Sequence, residues 1–215
     1  MRKLPKDIFV TGIDTNVGKT VISAILVQAL KADYWKPVQS GNIEGTDSLT
    51  TGQLISNPTS HIHPEAYNLK APTVPSYAAA LEQVEIDPAQ IILPQTQNRL
   101  IVEGAGGLMV HLRKDFMVID LISQLKLPVI LVSKNYLGSI NHTLLSIEAL
   151  QRRGIEILGL IYNGGRSEHM RQLVFEASGV PEIGSITEAV HIDSDFINAQ
   201  SKEIYSSLSK HFDIA

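Results

Sequence analysis

The chain has 215 residues, of which 44% are hydrophobic and 19% charged, enough apolar residues for a packed core and too few charges for a disordered chain. Lys plus Arg number 18 against 22 Asp plus Glu, a formal net charge of −4, so there is no general electrostatic case for nucleic acid or an anionic membrane, although a local basic pocket is not excluded. The absence of cysteine removes disulfides, thiolate metal sites and Cys nucleophiles together, no apolar run approaches the roughly 18 residues of a membrane span, and the N-terminal MRKLPKDIFVTG lacks the apolar stretch of a signal peptide. The expectation is a soluble, cytoplasmic, globular protein.

Short branched runs alternate with longer amphipathic stretches. Asp7 to Gly12 (DIFVTG) reads as a buried strand and Lys19 to Ala32 as a helix. Tyr34 to Val38 is a second strand, and Asp47 to Ile55 a second helix. Ser56 to Val74, with Pro58, Pro64 and Pro72, reads as an irregular, mobile insertion. Helices are expected over Pro75 to Glu82 and Pro88 to Leu93, the latter capped by Asp87. Strands follow at Leu100 to Glu103, Pro128 to Val132, Ile157 to Tyr162 and Pro181 to Ile186. Between and after them lie helices at Val118 to Lys126, Ser139 to Arg153, Ser167 to Ser178 and Ser194 to His211, with Gly154 and Gly179 at helix ends. This alternation predicts one α/β domain with a mostly parallel sheet, right-handed crossovers and helices on both faces, a three-layer fold.

Three segments carry chemistry. Gly12-Ile13-Asp14-Thr15-Asn16-Val17-Gly18-Lys19-Thr20 follows a strand and opens a helix, the context of a phosphate-binding loop. Its glycines let amides turn inward, Lys19 reaches the β- and γ-phosphates, and Thr20 would sit on Mg²⁺. Five residues separate Gly12 from Gly18, one more than in the general motif. In Val102-Glu103-Gly104-Ala105-Gly106-Gly107 an acid ends an apolar strand, where it would face the phosphate loop and hold Mg²⁺; the alternative is a solvated Glu in a tight turn. In Trp35-Lys36-Pro37-Val38-Gln39-Ser40-Gly41, Lys36 would project into the same crevice and stabilise charge in phosphoryl transfer, or simply be a solvated lysine at a strand end. Asp47 is either a helix N-cap or a further Mg²⁺ ligand.

GIDTNVGKT, WKPVQSG, the following TDS, VEGAGG, LPVILV and LGSINH together resemble the dethiobiotin synthetase family, in the same order and at similar spacing, from about Ile8 to Asn163. The resemblance implies the three-layer P-loop NTPase fold and an ATP-dependent ring closure in biotin synthesis, from 7,8-diaminononanoate, CO2 (or bicarbonate) and MgATP. It implies nucleotide contacts at Asn16, Val17, Gly18, Lys19, Thr20 and Val21 in the loop, and at Gly104, Ala105 and Gly106. Asn163, with Gly164, and the segment Thr187, Glu188 and Ala189 would receive the adenine. Thr20, Asp47 and Glu103 are its Mg²⁺ ligands. Lys36, Lys19 and Thr15 would act on the reacting groups, and Ser40, Gly107, Ser139, Ile140 and Asn141 would contact substrate. The resemblance further implies a homodimer, with the helix start at Ser139 receiving the substrate carboxylate near the interface; the plainer reading of Ser139 and Asn141 is a helix cap. Asn16 stands where the family commonly has Glu, Gly184 to Ala189 replaces a Pro-hydrophobic stretch, and Val74-Pro75-Ser76-Tyr77 replaces a Ser-Pro-His segment.

The remaining features are weaker. His61, His63 and Glu65 read as a solvated loop, and Trp35 as a packing residue rather than a base stacker. The competing functional reading is a nucleotide-gated ATPase of the partition type, which usually carries an extra lysine early in the loop; Gly12-Ile13-Asp14 has none.

Overall fold

The computed structural model describes residues 1–43, 45–165 and 168–214. In chain order the strands are β1 (Arg2–Lys3), β2 (Asp7–Gly12), β3 (Asp33–Trp35), β4 (Val38–Ser40), β5 (Ile62–His63), β6 (Tyr67–Leu69), β7 (Leu100–Gly107), β8 (His111–Arg113), β9 (Phe116–Met117), β10 (Val129–Lys134), β11 (Ile157–Asn163), β12 (Glu182–Ile186) and β13 (Phe212–Asp213). The helices are α1 (Lys19–Leu30), α2 (Asp47–Leu54), α3 (Pro75–Leu81), α4 (Val118–Leu125), α5 (Ser139–Arg152), α6 (Glu168–Ser178) and α7 (Ser194–Leu208). Ser167, expected to open the sixth helix, lies outside the described residues.

Seven strands form one sheet in the order β12-β11-β10-β2-β7-β3-β5, and every pairing within it is parallel. Parallel strands covered on both faces need continuous apolar runs, and Ile8, Phe9 and Val10, Ile101 and Val102, and Val129 to Val132 supply them, all fully buried. The helices α1, α2 and α7 pack together, as do α5 and α6. From the central strand β2 the later strands run outward on one side through β10 to β12, and on the other through β7 to β5. The crevice outside the carboxyl ends of such a sheet, where the order reverses, is where open α/β folds bind ligands.

Several boundaries differ from expectation. The second strand stops at Trp35, and Val38–Ser40 forms a separate ladder with Tyr67–Leu69. Pro37 between them has no amide to give a ladder. Leu100 to Glu103 does not end the strand at the acid: β7 continues through Gly107, with a register irregularity opposite Val10 to Gly12. Pro88 to Leu93 is only a single 3-10 turn, Pro88–Gln90, capped as expected by Asp87. The segment from Ser56 to Val74 is not a mobile insertion. It contributes the edge strand β5 and the strand β6. His63 is not solvated either, since its Nε2 lies 3.1 Å from the buried Asp33 carboxylate. Trp35 is buried and donates its indole N–H to the Pro64 carbonyl, a packing role as expected. Among the described residues no helix is long and apolar enough to cross a membrane.

Candidate functional site

Sheet register assembles the site. Val10 pairs with Glu103, and Trp35 pairs with Val102. Lys36, one residue beyond its strand, therefore stands beside Glu103, while the loop after Gly12 curls over both. A cavity of about 1140 Å³ opens there, and its lining includes Thr15, Asn16, Gly18, Lys19, Thr20, Val21, Lys36, Ser40, Asp47, Glu103, Ala105 and Gly106.

The phosphate loop takes its expected shape for local reasons. Gly18 precedes α1 at φ 91, a left-handed conformation that disfavours side chains. A Cβ there would also lie 2.0 Å from the Asn163 Nδ2, and one at Gly12 would lie 2.5 Å from Val17. Asn16 adopts φ 58, which Asn tolerates better than most residues, and this gives a backbone reason for Asn at that position. Lys19 Nζ donates to the Asp14 carbonyl at 3.0 Å.

The charged centre is compact. Lys36 Nζ lies 2.7 Å from Asp47 Oδ2 and 3.1 Å from Glu103 Oε1. Thr20 Oγ1 lies 2.9 Å from Asp47 Oδ1 and 3.0 Å from Glu103 Oε1. Lys36 is 4% exposed and Glu103 1%, so neither the solvated lysine nor the solvated glutamate describes them. Asp47 is not the cap of α2. Thr46 caps it, accepting from the Leu49 amide at 3.1 Å, which leaves the Asp47 carboxylate to face Thr20 and Lys36.

The electrostatics follow from this packing. Burial alone would lower the Lys36 pKa, but Glu103 and Asp47 outweigh it and hold the ammonium above its ordinary value. Asp47 is held low: burial opposes this, and Lys36 and Thr20 overcome it. Lys19 is brought down to about 8, chiefly by burial, with Lys36 adding repulsion and Glu103 pulling the other way.

The oxygen set fits Mg²⁺. The Thr20 hydroxyl lies within about 3 Å of both Asp47 Oδ1 and Glu103 Oε1, so three hard oxygens, two of them from carboxylates, converge on one point beside the phosphate loop, the donor type a small divalent cation takes. Among the described residues no group of three or more His, Cys, Asp or Glu is placed to hold a metal alone, so such a cation would complete its shell from phosphate oxygens and water.

Two residues that sequence reasoning passed over belong to this centre. The Tyr34 hydroxyl donates to Glu103 Oε2 at 3.0 Å, and burial together with Glu103 and Asp47 pushes its pKa well up. The buried Gln39 accepts from the Asp47 amide at 3.1 Å and donates to the Ser40 and Gly41 carbonyls at 3.2 and 2.9 Å. The available signal for Tyr34 was its spacing: it lies two residues before Lys36, on the same side of an extended chain.

The other expected residues lie around this centre. Asn163 donates to the Val17 carbonyl at 2.8 Å, bracing the phosphate loop from the next strands. Gly164 bonds to the Ile186 carbonyl and lies under Glu188, whose Cγ would be 2.8 Å from an added Cβ. Gly104 offers its carbonyl to Lys36 at 3.4 Å. Thr187, Glu188 and Ala189 are exposed beyond β12. Gly107 lines a second hollow of about 700 Å³, with Ile13, Asp14, Met109 and Leu145. Ser139, Ile140 and Asn141 open α5 and do not line the main cavity. Ser139 is no cap: Gly138 precedes the helix at φ 98 without a side-chain cap bond. His142 in that first turn pairs with the Tyr136 hydroxyl at 2.7 Å.

Residues 6–194 match a family model described as an AAA domain. The chain is 45% identical over 203 residues to the ATP-dependent dethiobiotin synthetase BioD of Cytophaga hutchinsonii, covering 94% of this chain and 98% of that protein. It is 43% identical over 205 residues to the BioD of Christiangramia forsetii, covering 95% and 99%. It also matches the biotin biosynthesis bifunctional protein BioCD of Bordetella avium at 43% identity, spanning 43% of that longer protein. In fold it is similar to the septum site-determining protein MinD complexed with Mg-ADP from Pyrococcus horikoshii, with a TM-score of 0.61 at 15% identity over 98% of this chain and 96% of that one.

Proposed function

Because this chain belongs to the ATP-dependent dethiobiotin synthetase family, we propose that it closes the ureido ring of dethiobiotin from 7,8-diaminononanoate, CO2 and MgATP, as a single P-loop ligase domain. The observation that carries this reading is Lys36, a buried ammonium bound by two carboxylates in front of the phosphate loop. A plain nucleotide hydrolase needs no second lysine there. A reaction that brings a carbamate anion against a triphosphate does, because two negative groups must meet.

The steps are these. One substrate amine adds to CO2, loses a proton and becomes a carbamate. A carbamate oxygen attacks the γ-phosphorus, ADP leaves, and a carbamic–phosphoric anhydride forms. The neighbouring amine attacks its carbonyl, phosphate leaves, and the cyclic urea closes. No protein nucleophile is needed; catalysis is positioning and charge. Loop amides from Asn16 to Val21 and Lys19 grip the triphosphate. Lys36 neutralises the carbamate and the moving phosphoryl group, and Thr15 at the loop contacts the same groups. Ser40, held by Gln39, faces the diamine. Thr20, Asp47 and Glu103 would hold Mg²⁺, which supplies charge neutralisation on the β- and γ-phosphates. Asn163 and Gly164, with Glu188 beside them, flank the adenine.

The proposed working form is a cytoplasmic homodimer. Ser139 to Asn141 lie outside the main cavity of their own chain, so the substrate carboxylate reaches that helix start across an interface. The fully exposed Leu137 and the exposed Met109 and Leu145 beside the second hollow support this placement.

The decisive experiment incubates the protein with 7,8-diaminononanoate, bicarbonate, Mg²⁺ and ATP and follows dethiobiotin by mass spectrometry. Product is expected only in the complete mixture, with matching ADP. ATP hydrolysis indifferent to the diamine would instead support the competing reading, a nucleotide-gated ATPase.

A further inference from the structure

The mechanism uses one oxygen of Glu103 and leaves the other unexplained. Oε1 faces Thr20 and Lys36, while Oε2 accepts from the Tyr34 hydroxyl at 3.0 Å. Tyr34 is fully buried and its ring fills the core behind the carboxylate. A glutamate has three rotatable bonds, and its carboxylate can present either oxygen, both or neither to a cation. A donor fixed on the rear oxygen removes that freedom. The same phenol lies beside the fully buried Thr51, one turn along α2 from Asp47, so it stands where the helix bearing one carboxylate meets the strand bearing the other.

We propose that Tyr34 is a positioning residue of the reaction: its hydroxyl holds Glu103 with Oε1 turned to the cavity, and so sets how tightly Mg²⁺ is held with the nucleotide. Such partners of ligating carboxylates carry about 10–100-fold in metal affinity where they have been removed. The inference rests on the reading that Glu103 belongs to the Mg²⁺ shell, and the test separates the two.

The test is calorimetric titration of ADP into the full chain, with and without Mg²⁺, for wild type, Tyr34→Phe, Glu103→Gln and the double variant. The quantity read is the factor by which Mg²⁺ tightens ADP. Tyr34→Phe keeps the ring and its packing. It is expected to reduce that factor about 10-fold while ADP affinity without Mg²⁺ stays within about twofold. Glu103→Gln is expected to reduce the factor at least as much, and Tyr34→Phe to add nothing further in that background, because the hydroxyl acts only through Glu103. A normal factor in Tyr34→Phe beside a reduced one in Glu103→Gln overturns the positioning role and leaves the Mg²⁺ reading standing. A normal factor in Glu103→Gln overturns that reading and the inference with it. Parallel loss of ADP affinity with and without Mg²⁺ in Tyr34→Phe, or failure of that variant to fold, makes the hydroxyl a structural group and also overturns the proposal.

Discussion

The three-residue strand β3 anchors two buried carboxylate clusters that solve the same problem in opposite ways. At its start, Asp33 is fully buried and takes four donors: Asn98 at 2.8 Å, the His61 amide at 2.9 Å, Thr96 at 2.6 Å and His63 at 3.1 Å. Past its end, Glu103 and Asp47 share one ammonium and one hydroxyl. The first carboxylate is matched by donors fixed in the chain around it, and nothing about it is left to exchange. The second pair faces the cavity and is matched on that side by one lysine and one hydroxyl, partners that a metal ion and a phosphoryl group can replace without stranding a charge. A burial cost of several kcal/mol per ion is offset in both places, in one by a lock and in the other by an exchangeable partner.

Removing the exchangeable cation gives the largest effect. Lys36→Ala is expected to lower kcat about 100–1,000-fold, or roughly 3–4 kcal/mol, while ATP affinity falls only a few-fold. Steady-state kinetics beside direct ATP titration checks this, and equal losses in both would reduce Lys36 to a binding residue. Removing the lock acts on the other axis. Asp33→Ala takes the shared acceptor from the Asn98, Thr96 and His61 donors, which are half-buried or at the surface around it, and is expected to cost about 3 kcal/mol of stability. In a chain of this length that lowers Tm by roughly 6–12 °C. Because Asp33 touches neither the cavity nor the loop, kcat/KM of the folded protein is expected to stay within about twofold. Thermal melting and kinetics on one preparation would show a joint loss if the two clusters were not independent.

The lock also predicts an acid limb. Burial pushes the Asp33 pKa up, but the bonds from Asn98, Thr96, His61 and His63 outweigh it, so the folded carboxyl is held below its ordinary value. A carboxylate with a depressed folded pKa contributes stability that is present above its unfolded pKa and lost as pH falls through the folded one. Urea unfolding is therefore expected to show wild-type stability declining below about pH 4, with a shallower decline in Asp33→Ala over the same window. Parallel slopes would mean that other carboxylates carry the acid limb.

The two clusters were not equally legible in the sequence. Lys19, Thr20, Lys36, Asp47 and Glu103 could be read because each stands at a strand end or helix start inside a patterned segment, and parallel strands bring such ends to one edge. The central strands were legible for the same reason, as continuous branched runs. Asp33 gave no signal. Its partners come from positions 61, 63, 96 and 98, in turns whose path no periodicity encodes. The edge strand Ile62–His63 is hidden by its length: two residues between prolines carry no strand periodicity, and the sequence there reads as a mobile insertion. Tyr34 and Gln39 were passed over because an apolar strand with an aromatic residue looks like core, and only the tertiary pairing shows which polar atom faces the site.

A last, smaller test asks whether the loop over the exchangeable cluster is itself locked, and by what. Asn16 sits at φ 58 on the exposed side of the turn, between Thr15 and Val17, which the chain must pass to bring Gly18 to φ 91 and α1 to its first turn. If backbone conformation fixes the loop, the substitutions should rank by tolerance of the left-handed region, not by size or polarity. Asn16→Gly is then expected to leave stability without nucleotide within about 0.5 kcal/mol, Asn16→Ala to cost somewhat more, and Asn16→Val to cost about 1–2 kcal/mol, since a branched Cβ is worst placed there. Chemical unfolding of the three variants reads the order directly. The ordering Gly, Ala, Val would mean that the loop is held rigid by its own backbone, so that the exchange of cations beneath it takes place in a frame that does not move. Equal costs for all three would trace the loop's order to the Asn16 side chain, and the polar groups around it would then belong with the lock at Asp33.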